Sequence, residues 1–301
     1  MPPVTDAAGA DPPHPPPTPD ARRADRPHPP PTPDARRADR PHPPAALAVA
    51  AVLPHPPLLV AELAGAAAGE LDPLRAACRE ALSVVLAAAE LIVVVGGGPV
   101  WGVPGPSAPG SFRPYGVDVE VTLATQVDLE LPGLPAPARL EELPLSLAVA
   151  AHLLAGVDAP PARVFAVTVP PALGPGAAAA IGRALTAGGD PVGLGRGPAG
   201  GRIGLVAMGD LSACRTERAP GAFRAEAAGF DASVAEAFRT GKPQRLLDLD
   251  PTQAGELLVA GRVPLQVLAG ACEGGPALGG QVLYDDAPYG VGYLVALLTA
   301  P

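Results

Sequence analysis

From Leu47 onward, short apolar runs alternate with alanine-rich stretches of helical length, and this alternation leaves very few architectures open. Strands are predicted at residues 47–53, 91–95, 117–123, 163–169, 203–208 and 281–284, with helices between them at 73–89, 144–155, 176–187, 231–240 and 251–260. Strands separated by helices return to one sheet through crossovers, so the pattern predicts a single α/β unit with helices covering a central sheet. Apolar residues make up 48% of the chain, enough to bury such a core.

The first residues break the pattern. Residues 14–27 read HPPPTPDARRADRP, residues 28–41 repeat the string, and a third copy begins at His42. Proline removes backbone donors and fixes φ, and the repeat has no periodic apolar face, so it cannot build a core. Residues 1–45 are therefore predicted to be a disordered, proline-rich tail, with the folded domain at 46–301. Three readings of the tail are a docking arm, a weak metal-binding tract through His14, His28 and His42, and an extension upstream of a natural start at Val49 or Val52.

Charge and patterning exclude several classes of function. The net charge is −9, and no basic stripe occurs to displace counterions, so neither nucleic acid nor a membrane surface is an expected partner. Apolar runs such as 91–95 and 294–298 fall far short of the roughly 20 residues that span a bilayer. The N-terminus lacks the basic-then-apolar order of a secretory signal. Cys78, Cys214 and Cys272 stand apart, which suits neither a disulfide framework nor a cysteine zinc site, and a reducing cytoplasm is the expected compartment.

Gly96, Gly97 and Gly98 follow a predicted strand, where a phosphate-binding turn would sit. Such a turn needs a helix N-terminus directly after it, and Pro99 and the proline- and glycine-rich residues to 114 prevent one. The glycine run at 193–201 precedes a strand and reads as a loop. No Gly-x-Ser-x-Gly elbow is present, and Ser212 and Cys214 have no identifiable base. His55 lies in Leu53-Pro54-His55-Pro56-Pro57 at the end of the first predicted strand, held by flanking prolines. Open α/β sheets place their sites at that edge, so His55 suits a ligand or a base, with a structural histidine as the plainer alternative. His152 falls inside an apolar helix and reads as a core histidine. Asp210, Asp285 and Asp286, at strand ends, have the oxygen chemistry of a hard-cation site or of loop-capping aspartates.

Several of these segments occur in a telling order: Pro54-His55-Pro56, the 93–95 strand and its loop, Gly209-Asp210-Leu211-Ser212, Ala219-Pro220-Gly221, Phe230-Asp231, and residues 284–293 with Pro288-Tyr289-Gly290-Val291-Gly292-Tyr293. In that order they resemble the catalytic B-subunit family of class III extradiol ring-cleavage dioxygenases, which also includes Memo-like proteins. The resemblance covers nearly all of residues 47–297. It implies an α/β fold, a single domain with a central mixed sheet flanked by helices. It also implies a non-haem iron(II) enzyme in which two histidines and a glutamate hold the metal beside a catecholic substrate and O₂, while a further histidine takes a substrate proton.

Residue by residue, the resemblance carries over in part. His55 matches the first metal ligand. The second metal histidine is expected after the 91–95 strand, where this chain has Gly96, Gly97 and Gly98, and the histidine base is expected where it has Ala213. The metal glutamate aligns with Val259, with Glu256 one turn earlier on the same face. The residues implied for metal are thus His55 and Glu256; those implied for substrate are Asp210, Ser212 and Tyr289; none is assigned to catalysis. Losing a general base removes about 10²- to 10⁴-fold in rate.

Two expectations follow. One is a family member without ring-cleavage chemistry, a binding or interaction module that needs no cofactor. The other is an iron(II)-dependent oxygenase with a rebuilt site, using His55 with Glu256, Asp210 or Asp285. The partners either would take are a small-molecule ligand, a second copy of the chain or a small partner subunit.

Overall fold

A computed structural model describes residues 46–123, 131, 133–158, 163–186 and 201–300. The predicted tail and all but the last residue of the 193–201 glycine run lie outside the described residues. One unit, His42–Pro301, contains every described element.

The chain opens with β1 (Ala46–Leu53), the short helix α1 (Ala61–Ala64) and the long helix α2 (Asp72–Ala88). After β2 (Leu91–Gly97) come four three-residue strands: β3 (Gly102–Pro104), β4 (Pro109–Ser111), β5 (Glu120–Thr122) and β6 (Ala138–Leu140). Next are α3 (Leu145–Ala155), β7 (Arg163–Val169), α4 (Pro175–Thr186), β8 (Arg202–Met208) and α5 (Glu226–Arg239). The chain closes with α6 (Pro251–Glu256), α7 (Arg262–Ala271), β9 (Gly279–Asp286) and β10 (Tyr293–Thr299).

Eight strands form one mixed sheet in the order β6-β3-β7-β2-β8-β1-β10-β9. Its centre, β7, β2, β8 and β1, is parallel; β10 runs antiparallel to β1, and β9 antiparallel to β10. Strands buried on both faces favour continuous branched runs such as Leu-Ile-Val-Val-Val in β2. The pleat then divides each strand between two cores. Val49, Ala51 and Leu53 of β1 face the layer of α2 and α3. Ala50 and Val52 face the layer of α4, α5 and α7. The protein is thus an α/β domain with a mixed sheet between two helical layers.

The predicted strands at 47–53, 91–95, 163–169, 203–208 and 281–284 all lie within observed ones. The predicted strand at 117–123 shrinks to β5, which pairs only with β4 in a separate two-stranded sheet. The predicted helix at 251–260 ends at Glu256, and a second helix, α7, follows after Gly261. Every residue of α7 is buried, Arg262 and Gln266 included, and the Arg262 guanidinium donates to the Gln266 amide oxygen at 2.8 Å. The 294–298 run is β10, buried on both faces. Among the described residues no helix is long and apolar enough to cross a membrane.

Candidate functional site

The parallel strands β1, β2, β7 and β8 end at the same edge of the sheet, and β8 lies between β1 and β2. The residues following β1 and β8 are therefore neighbours, which brings together His55 and Asp210. The His55 amide donates to Asp210 Oδ1 at 2.7 Å, and His55 Nδ1 lies 3.8 Å from the same oxygen. His55 is only 9% exposed, and its Nδ1 is a buried side-chain nitrogen with no hydrogen-bond partner. Leaving a buried polar atom unpaired typically costs about 1–3 kcal/mol.

The backbone around Asp210 is clamped from three sides. The Gly209 amide donates to Leu53 O, extending the β1–β8 pairing. The Gly261 amide donates to Asp210 O at 2.8 Å, and the Ala213 amide to Leu257 O at 2.9 Å, so the 257–261 loop runs alongside 210–213. This approach needs glycine on both sides, because a Cβ on Gly209 would overlap the Cα of Gly261. On the third side, Leu211 donates to Gly292 O and Gly292 to Ser212 O, which joins the segment to the loop before β10.

Ser212, expected to contact substrate, is fully buried. Its amide and hydroxyl both donate to the Asp231 carboxylate, at 2.9 and 2.8 Å, and Arg215 Nη1 donates to the same group at 2.9 Å. Burial pushes the Asp231 carboxyl above its ordinary value, against the Ser212 amide, the Arg215 guanidinium and the Ser212 hydroxyl, which pull it down. This network closes Ser212 to solvent and assigns it to the framework.

Three tyrosines lie near the edge. Tyr289, half-buried, donates its hydroxyl to Glu70 Oε2 at 2.9 Å. Tyr293, at the start of β10, is buried, and that burial raises its phenol well above the ordinary value, with a further rise from the charge of Asp210. Tyr284 is raised chiefly by burial, then by Asp286. Tyr293 was not singled out among the sequence candidates. Its one signal is the last position of the Pro288–Tyr293 string.

The other candidates lie apart from this pair. Glu256 is exposed at the end of α6, and its carbonyl lies 4.0 Å from Cys214 Sγ. Asp285, on β9, is paired with Arg239 at 2.6 Å. Asp286 accepts from the Ala287 amide. His152 is half-buried on α3, its ring edge-on to Phe112 at 6.1 Å, and burial lowers its basicity. Cys78, Cys214 and Cys272 are free and buried, and burial raises the thiols of Cys78 and Cys272 to about 12.

The donors present do not fit a three-ligand iron centre. Among the described residues no three histidine, cysteine, aspartate or glutamate side chains converge as a metal group. At the end of β2 the space for a side chain is filled at two of the three glycines: a Cβ on Gly98 would lie 2.7 Å from Thr168 Cβ, and one on Gly96 would overlap the Ser146 hydroxyl. That hydroxyl donates to Gly97 O at 2.7 Å. Gly97 alone has room, with Ala260 O at 3.9 Å.

No family model matches the chain, and no curated protein sequence matches it. Among solved structures it is similar to that of an uncharacterized protein from Escherichia coli K12, at 14% identity over 84% of this chain and 100% of that one, with a TM-score of 0.46.

Proposed function

We propose that this protein is a homologue of the class III extradiol dioxygenase B subunit that has given up ring cleavage and binds a small molecule at the strand edge of His55 and Asp210. The observation that carries the reading is the His55 side chain, buried beside a carboxylate with Nδ1 unpaired. With its proton on Nε2, Nδ1 is an acceptor, and the carboxylate beside it offers more acceptor sites. Two neighbouring hydroxyls of one ligand would satisfy both, and pairing the buried nitrogen would return the cost of leaving it alone. A catecholic molecule has that pair of donors.

The test is anaerobic calorimetric titration with a panel of catechols, alongside iron content after loading with iron(II) and O₂ uptake in air. Binding is expected without stoichiometric iron or O₂ uptake, and His55→Ala should weaken it about tenfold or more. Stoichiometric iron that disappears in His55→Ala, together with O₂ uptake, would replace this reading with the iron(II)-dependent oxygenase. Absence of any binding would refute the ligand site.

A further inference from the structure

The hydroxyl of Tyr293 is a third polar group at the same edge, and no bond within the protein uses it. Tyr293 is only 3% exposed, yet among the described residues nothing pairs with its hydroxyl. A buried phenol ordinarily finds a hydrogen-bond partner. Among the described residues the one fully buried side-chain nitrogen or oxygen without a partner is His55 Nδ1. The Tyr293 hydroxyl, unpaired but outside that class, therefore keeps an opening while its ring is packed in the core beside α2 and α3. The other two tyrosines are placed differently: Tyr289 gives its hydroxyl to Glu70, and Tyr284, on β9, feels the charge of Asp286.

Strand order brings Tyr293 to the polar pair. β10 neighbours β1 and runs antiparallel to it, and the register that pairs Val52 with Ala296, continued past Leu53, sets Tyr293 level with His55. The Leu211 amide donates to Gly292 O and the Gly292 amide to Ser212 O, so Asp210 and Tyr293 each adjoin a residue of one bonded pair. Leu211 faces the core beside α5, whereas Met208 and Tyr293 face the core beside α2. The charge of Asp210 is felt at the Tyr293 phenol, so carboxylate and phenol are neighbours. Burial and that charge hold the phenol in its protonated form, which is a donor. The edge thus combines two acceptors, His55 Nδ1 and Asp210, with one donor.

We infer that Tyr293 donates its hydroxyl to a ligand oxygen at the His55–Asp210 site and so selects vicinal hydroxyls over vicinal amines. The inference rests on the reading of that pair as a ligand site. A catechol oxygen can give its proton to His55 or Asp210 and accept from Tyr293 at the same time. An arylamine nitrogen also donates, but its lone pair is drawn into the ring and it accepts poorly. 1,2-Diaminobenzene therefore meets both acceptors and leaves the Tyr293 hydroxyl unpaired beneath it, the situation in which a polar site rejects an analogue.

The experiment measures affinities for catechol and 1,2-diaminobenzene anaerobically, in the wild-type chain and in Tyr293→Phe. A hydrogen bond contributes about fivefold in affinity, so the substitution should weaken catechol by about fivefold or more and change the diamine by less than about twofold. Phenylalanine keeps the packed ring, and a hydroxyl without a protein partner can be removed without lowering the midpoint of urea unfolding. Equal changes for the two ligands overturn the inference and leave the polar pair standing. A lowered midpoint overturns it as well, because the hydroxyl would then be bonded within the fold. Failure of the wild-type chain to bind either ligand overturns the inference and the ligand site together.

Discussion

Leu258 gives the sharpest test of the backbone reading, through the pair Leu258→Ala and Leu258→Gly. Both variants remove the half-exposed side chain, so their difference isolates the backbone at φ 55°. A residue with a Cβ is disfavoured in the left-handed region by about 1–2 kcal/mol. Glycine returns about 0.4–1 kcal/mol of that through the greater freedom of its unfolded chain. Leu258→Gly should therefore be more stable than Leu258→Ala by about 0.5–1 kcal/mol. The assay is equilibrium urea unfolding, read as a shift in midpoint at unchanged slope. Gly229 supplies the control, because it lies inside α5, has no atom within 4 Å of a built Cβ, and should gain about 1 kcal/mol on replacement by alanine. The same exchange is thus expected to have opposite signs at the two positions. If Leu258→Ala equals or exceeds Leu258→Gly, the left-handed backbone at Leu258 carries no strain.

Two further outcomes follow from the geometry. Gly98→Ala should cost about 1–3 kcal/mol, because its Cβ meets the buried Thr168 side chain, whereas Gly97→Ala should be close to neutral; equal costs in urea unfolding would contradict the packing after β2. Asp231 has its carboxyl raised by burial above its ordinary 3.8, so the folded state binds that proton more tightly than the unfolded state. Its contribution is full below 3.8 and is lost as pH rises through the folded value. The stability of the wild type relative to Asp231→Asn should accordingly fall as pH rises across the window just above 3.8, and a difference that grows there would show that the hydrogen bonds outweigh burial.

His55 was legible in the sequence because its signal is local: an apolar strand, then a histidine fixed between prolines. The central strands were legible for the same reason, each being a short and mostly apolar run. The partner of His55 was less so, because the adjacency of Asp210 depends on β8 inserting between β1 and β2, a matter of strand order that no local pattern encodes. Helix α7 was harder to read, because Pro264 interrupts its sequence and its two polar side chains, Arg262 and Gln266, are buried against each other. The glycines after β2 were read as positions lacking a donor. The structure adds that Ser146 and Thr168 occupy the volume a side chain would need at Gly96 and at Gly98, while Gly97 has room.

Ser212 shows why sequence motifs blur framework and site. Gly209-Asp210-Leu211-Ser212 reads as one unit, yet its two polar side chains face different tasks. Ser212 gives both its donors to Asp231, and Gly292 is confined there because a Cβ would overlap that same carboxylate. The Ser212–Asp231–Arg215 network and the paired Leu211 and Gly292 bonds fix the course of the chain directly after Asp210. A buried network of this kind holds its shape only when every member is satisfied. Asp210, by contrast, is partly exposed and accepts the His55 amide, with further acceptor capacity to spare. Polarity in the motif is therefore divided between a closed half that sets position and an open half that can meet a ligand. Weakened binding in a Ser212 or Asp231 variant would then report displacement of Asp210 rather than a lost ligand contact.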